Sequence, residues 1–252
     1  MNRSEIRRSI YRASKGSSQH FRAAVEPFIN LVAECVTLAN PGSVQSITNR
    51  SQEVFVRVWS QMPKLRRVSD LERLIVATLV ADNRNKNSLP NGNHLLGRIL
   101  RLNPMERCLV VLREMEGWDL KRICRACRLS PKELDKLLCE IRCRLVKFEV
   151  PEDPEERQRF LLISRSITTG SCCFQTLPKD RPERLRFFRD AWLEARGELI
   201  DLRQDMRFDG LERKWFLDGL EAVAQTRSPE PVRVIPALRN FFSFEPEMIL
   251  KR

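Results

Sequence analysis

Four cysteines and a scatter of basic residues carry what chemistry this sequence offers. Cys124, Cys127, Cys139 and Cys143 are separated by two, eleven and three residues, a spacing close to that of a zinc site. Four thiolates must converge on one point to hold zinc, yet Cys124 and Cys127 share the apolar stripe of one predicted helix. Cys139 is expected on the polar side of the next, with Asp135 and Arg142. Buried thiols explain the first pair more cheaply, because a reducing cytoplasm does not favour disulfides. No metal and no cofactor are therefore expected. Cys172-Cys173 is a vicinal pair in a short Thr/Ser/Gly stretch, with no chemistry that its neighbours identify. His20 and His94 fall in predicted loops without a second ligand, there is no glycine-rich phosphate loop, and the carboxylates lie on mixed-charge, solvated faces. No catalytic residue is assigned, and the chain is not read as an enzyme.

Charge gives the stronger indication. The 252 residues carry a net charge of +12. Residues 1–150 hold 27 Lys/Arg against 15 Asp/Glu, whereas residues 151–252 hold 18 of each. All the excess lies in the first three-fifths of the chain. A polyanionic partner for that part follows naturally, because neutralising phosphates releases condensed counterions; a basic surface with no specific partner is the other reading of the same numbers.

The elements that would position these residues are clearest between Asn103 and Phe148. Asn103, Pro104 and Glu106 form a reciprocal helix start, and Gly117 can take the left-handed turn that ends the helix. Asp119 can cap a short second helix with Leu120, Ile123, Cys124 and Cys127 on one face. Ser130, Pro131 and Glu133 repeat the start signal and open a third helix with the stripe Leu134, Leu137, Leu138, Ile141 and Leu145. Two short helices joined by Arg128-Leu129-Ser130 have the form of a helix-turn-helix, whose second helix fits the DNA major groove.

One tyrosine, nine glycines and recurring helical periods of Leu, Arg and Glu predict an all-α fold. Residues 1–19 read as a mobile basic arm. Residues 20–87 form one helical domain, with helices over Phe21–Leu38 and Asn49–Met62 and a third opened by a Ser69/Glu72 box. Residues 88–102 read as a linker, 103–148 as the helix-turn-helix domain, and 149–181 as an acidic hinge and connector. In the C-terminal extension 182–252, Leu185, Phe188, Trp192, Ala195, Leu199, Leu202 and Met206 form a heptad seam. A hairpin with the next helix, through Trp215, Phe216, Leu220 and Val223, would cover it; self-association or a regulatory protein docked over 182–223 would do the same. The tail holds Phe241-Phe242-Ser243-Phe244, a set of aromatic anchors. No window approaches the 18 or more apolar residues of a membrane span, and the first residues lack the apolar core of a secretory signal, so a cytoplasmic location and no membrane partner are expected.

The block SQEVFVRVWSQM, preceded by VEPFINLVAECVTLANPG and followed by LIVATLVADNRNK, resembles region 2 of bacterial RNA polymerase sigma factors of the extracytoplasmic-function type. Residues 104–147 resemble region 4 of the same family, in the same order across a similarly short linker, so the likeness covers about residues 20–148. It implies a DNA-binding transcription initiation factor whose partners are core RNA polymerase and promoter DNA. Gln52, Glu53, Val54, Phe55, Arg57 and Trp59 keep the family pattern, which makes Gln52, Glu53, Arg57 and Trp59 the implied polymerase contacts. Promoter DNA falls to Arg84 and Lys86 after region 2 and to Lys132, Lys136, Arg142 and Arg144 on the third helix of region 4.

Departures matter as much as the match. The family's acidic pair before Gln-Glu is absent here, where Thr48-Asn49 is followed by Arg50-Ser51, and the turn glycine is Arg128. Two positions usually basic in the recognition helix are Asp135 and Leu137. The alternative implied is a protein-interaction or regulatory module that keeps the sigma fold without reading promoters.

Overall fold

The computed structural model describes residues 2–39, 41–82, 94–169 and 183–227. Among the described residues every regular element is helical, as the composition predicts. Arg84, Lys86, Cys172-Cys173 and the aromatic tail lie outside the described residues. The chain divides into two compact units. The first comprises Met1–Asn87, Arg125–Arg128 and Met206–Arg252, the second Ser88–Cys124 and Leu129–Asp205.

The first unit begins with α1 (Arg3–Ala13), which corrects the expectation of a mobile arm. The Asn2 side chain accepts from the Ser4 amide while Glu5 accepts from the Asn2 amide, a capping box that the basic, serine-rich composition obscured. Ile6, Ile10 and Ala13 are buried, and α1 packs on α2 (Ser18–Val25) and α5 (Val68–Asp82). Pro27 sits in a 3₁₀ turn, Glu26–Phe28, that kinks α2 into α3 (Ile29–Ala39). α4 (Val44–Gln61) starts five residues before the expected Asn49, because Ser43 caps it. The α5 start is also displaced: the Asp70 carboxylate, not Glu72, accepts from the Arg66 and Arg67 amides, while Glu72 is buried. Helices α3, α4 and α5 pack on one another around Phe28, Val32, Phe55, Leu71 and Ile75.

In the second unit, the expected linker contains a short helix, α6 (Leu95–Leu100), capped by His94. Then come α7 (Pro104–Val110), running into a π-turn at Val111–Met115, and, beyond α8 (Leu120–Cys127), α9 (Pro131–Leu145). Both predicted boxes, at Asn103 with Glu106 and at Ser130 with Glu133, are present, and Gly117 has φ +64°. The predicted hinge and connector, 149–181, are corrected over their described part, residues 170–181 lying outside it: α10 runs over Pro154–Thr169, with Asp153 accepting from the Glu156 amide. α10 lies along α9, and α11 (Glu183–Asp205) packs on α9, α10 and the π-turn. Phe160, Ile163, Leu185, Phe188, Cys139 and Cys143 form one cluster, with the Phe160 and Phe188 rings 4.9 Å apart.

The heptad seam is real, since Leu185, Phe188, Trp192, Ala195 and Leu199 are all buried. Its covering is not the expected hairpin. The seam is covered within the second unit, while α12 (Gly210–Thr226) belongs to the first, where it packs on α2 and α4. On α12 the buried positions are Phe216, Leu217, Leu220 and Ala224, and Trp215 is 65% exposed, which corrects its assignment to the inner face.

Candidate nucleic-acid and protein interfaces

The turn between α8 and α9 is built as a helix stop. Arg128 adopts φ +57°, and the Leu129 amide donates to the Cys124 carbonyl at 3.1 Å, closing the end of α8. Arginine thus takes the left-handed conformation that glycine would adopt at lower cost, in line with the departure noted at this position. The Asp119 carboxylate accepts from the Arg122 amide at the other end of α8, and the Arg122 guanidinium stacks 3.5 Å from the Trp118 ring centre.

The basic residues of α9 divide into two kinds. Lys132 is exposed, and Lys136 is half-exposed beside Glu140, 3.9 Å away. Arg142 is corrected as a DNA contact. Only 1% of it is exposed, its Nε and Nη2 donate to Glu114 Oε1 at 3.1 and 2.5 Å, and its Nη1 donates to the Ser164 carbonyl and hydroxyl at 2.6 and 2.7 Å. Its Cζ stands 5.2 Å from the Trp192 ring. A guanidinium held on three sides cannot reach a phosphate. Arg144 is corrected in part: 46% exposed, it makes a fork on Glu106 at 3.0 and 2.6 Å, so it fastens α9 to the capping carboxylate of α7.

Beside Lys132 and Lys136, a cleft of about 330 Å³ runs between α9 and α10. Arg157 and Arg165 line its far wall, with Leu161 and Leu162 between them, and Arg165 pairs with Asp135 at 2.5 Å. Arg157 and Arg165 escaped the sequence reading because their helix was read as a connector. The signal was there, since Asp153-Pro154 with Glu156 repeats the start pattern of Asn103 and Ser130.

Cys139 and Cys143 lie in the interior of the second unit. Cys139 is buried at 3% exposure by α10, which corrects its placement on a polar face. A hydrogen bond from the Cys143 thiol, with Arg142 nearby, holds the Cys139 thiol below the usual range; that bond, and then burial, pushes Cys143 up. Among the described residues no three His, Cys, Asp or Glu side chains are placed to hold a metal ion.

On α4 the four implied polymerase contacts also divide. Glu53 is exposed, and Arg57 donates to Asp82 at 2.6 Å, tying α4 to α5. Trp59 lies on the inner face of α4 with Val54, Phe55 and Val58: 2% exposed, it stands 4.8 Å from the Phe21 ring and donates its indole N–H to the Arg227 carbonyl at 2.8 Å, so it presents no free surface for direct contact. Gln52 faces α12, since a β-carbon built on Gly219 would stand 2.9 Å from Gln52 Nε2. No helix among the described residues is long and apolar enough to cross a membrane. Comparisons with known protein families, curated proteins and solved structures found no match.

Proposed function

We propose that the chain is a divergent sigma-like initiation factor, which binds core RNA polymerase in the cytoplasm and directs it to promoter DNA. The observation that carries this reading is the succession, in one chain, of a bundle whose α4 bears Gln52 to Trp59 and a doubly capped α7–α9 segment with its left-handed turn at Arg128. The confinement of excess positive charge to residues 1–150 supports it. DNA contact falls to Lys132 and Lys136, with Arg157 beside them, since Arg142 is inside the fold and Arg144 is bound to Glu106.

Binding of the full chain to core polymerase and to duplex DNA tests the reading. DNA affinity should fall steeply with salt. Lys132→Glu with Lys136→Glu should flatten that dependence by about one unit of log–log slope per lost phosphate contact. An unchanged slope moves the DNA contact elsewhere, and no affinity for polymerase in any form of the chain overturns the proposal. One feature favours the second reading, an interaction module without promoter recognition: α10 lies along α9 and pairs Arg165 with Asp135, occupying a side of the helix that would otherwise face a groove. Polymerase binding without DNA binding would select that reading.

A further inference from the structure

Helix α12 lies against the face of α4 that carries Gln52 and Trp59, two of the four polymerase contacts implied for this helix, while Glu53 and Arg57 lie on another face. Gln52, Phe55 and Trp59 follow at helical spacing on α4, and each meets the C-terminal segment. Gln52 lies under Gly219, the Phe55 ring meets Phe216 edge-on at 5.8 Å, and the Trp59 indole donates to the Arg227 carbonyl. The Gln52 amide rests where a β-carbon on residue 219 would stand, so a larger residue there would make that flexible end swing aside.

The fastenings around this contact are ionic and partly exposed. Arg22 on α2 holds Asp218 at 2.6 Å and Glu221 at 3.1 Å, Arg213 holds Glu26 at 3.6 Å, and Arg207 holds the buried Glu34 at 3.1 Å. The Arg22 and Arg213 pairs are partly exposed and contribute little individually, so α12 is seated mainly by its buried face, Phe216, Leu217, Leu220 and Ala224, with the ion pairs as adjustable latches around it. The remaining helices of the unit have their own packing, α1 on α2 and α5, and α3 with α4 and α5. None of those contacts runs through α12.

We infer that α12 is a built-in competitor: it occupies the α2–α4 face in cis and keeps core polymerase off until it lifts away. The inference rests on the proposed sigma-like reading and adds its regulation. The polymerase element that displaces α12 must be an amphipathic helix, able to present acidic groups to Arg22 and apolar side chains to Phe55. Apparent affinity for polymerase is then reduced by the fraction of chains in which α12 is seated.

The test is the affinity of full-length protein for purified bacterial core RNA polymerase, free of any sigma factor. In Asp218→Lys with Glu221→Lys, both latches on Arg22 become repulsive at exposed or half-buried positions, and polymerase should bind about tenfold or more tightly. Adding Arg22→Glu to that pair rebuilds the latch with reversed charges and should restore the hydrogen-exchange protection of 210–226 in the free chain that the double variant loses. Equal affinity in wild type and the double variant overturns the inference while leaving the sigma-like reading standing; no binding by either overturns both. A second measurement needs no variant. In the wild-type chain, hydrogen exchange over 210–226 should speed up when polymerase binds, while 3–13 and 68–82 stay protected. An α12 that remains protected in the complex also overturns the inference.

Discussion

Arg142 shows how much one side chain can hold in place. Its guanidinium joins α9 to the π-turn through Glu114 and to α10 through Ser164, at 1% and 5% side-chain exposure for the ion pair. Removing one partner of such a pair leaves an uncompensated buried charge, which costs about 3–5 kcal/mol. Arg142→Ala should therefore lower stability by that amount in urea unfolding, whereas Arg142→Leu with Glu114→Leu should recover much of the loss. If Arg142→Ala unfolds like wild type but binds DNA more weakly, its assignment to the interior is wrong. Arg142 looks like a solvated charge in the sequence because arginine is rarely buried unless paired, although Leu138, Cys139, Leu145 and Val146 flank it at three- and four-residue spacing. The groups that surround it, Glu114, Ser164 and Trp192, stand 22 to 50 residues away in the chain, beyond what periodicity can report.

At the scale of the element, ends were more legible than partners. Asn103, Gly117, Asp119 and Ser130 mark their boundaries through short-range hydrogen bonds that sequence spacing encodes directly. The end of α9 was not foreseen. Lys147 adopts φ +60°, its amide donates to Arg144, and the Phe148 amide donates to the Cys143 carbonyl at 2.8 Å, with Phe148 packed on the Cys143 cluster. This is a left-handed helix stop in which an exposed lysine stands where glycine is favoured. Lys147→Gly should stabilise the protein by about 1 kcal/mol, since a residue with a β-carbon is strained there by roughly that amount. A calorimetric melt checks it, and a lower melting temperature would mean that the Lys147 side chain contributes more than its backbone costs. The faces of α4 and α9 were also legible, because buried positions recur at three and four residues. What covers them was not: the seam on α11 marks a buried stripe equally well for a hairpin, a dimer or, as found, the helices α9 and α10.

Taken as a whole, the chain closes each of its units with helices from beyond residue 150. The second unit draws Phe160, Ile163, Leu185, Phe188, Trp192 and Leu199 from α10 and α11, all buried. Burying large apolar side chains is worth about 1.5–3 kcal/mol each, so their combined contribution reaches or exceeds the roughly 5–15 kcal/mol by which domains are stable. The first unit loses Met206–Arg252, α12 among them, when the chain is cut there, and keeps the contacts that α1–α5 make with one another. A fragment 1–150, which the sequence reads as two self-sufficient domains, should thus fail asymmetrically. Limited trypsin digestion followed by mass spectrometry should find 3–82 protected and the basic residues between Arg98 and Lys147 open to cleavage, while the full chain resists at both. Trp192→Asp in the full chain should reproduce the same pattern, because it puts a carboxylate into the covering of α9. It should therefore disable DNA binding, whereas a self-contained C-terminal hairpin would leave that activity untouched. A 1–150 fragment that resists digestion throughout would show that α10 and α11 are accessories to a helix-turn-helix that folds without them.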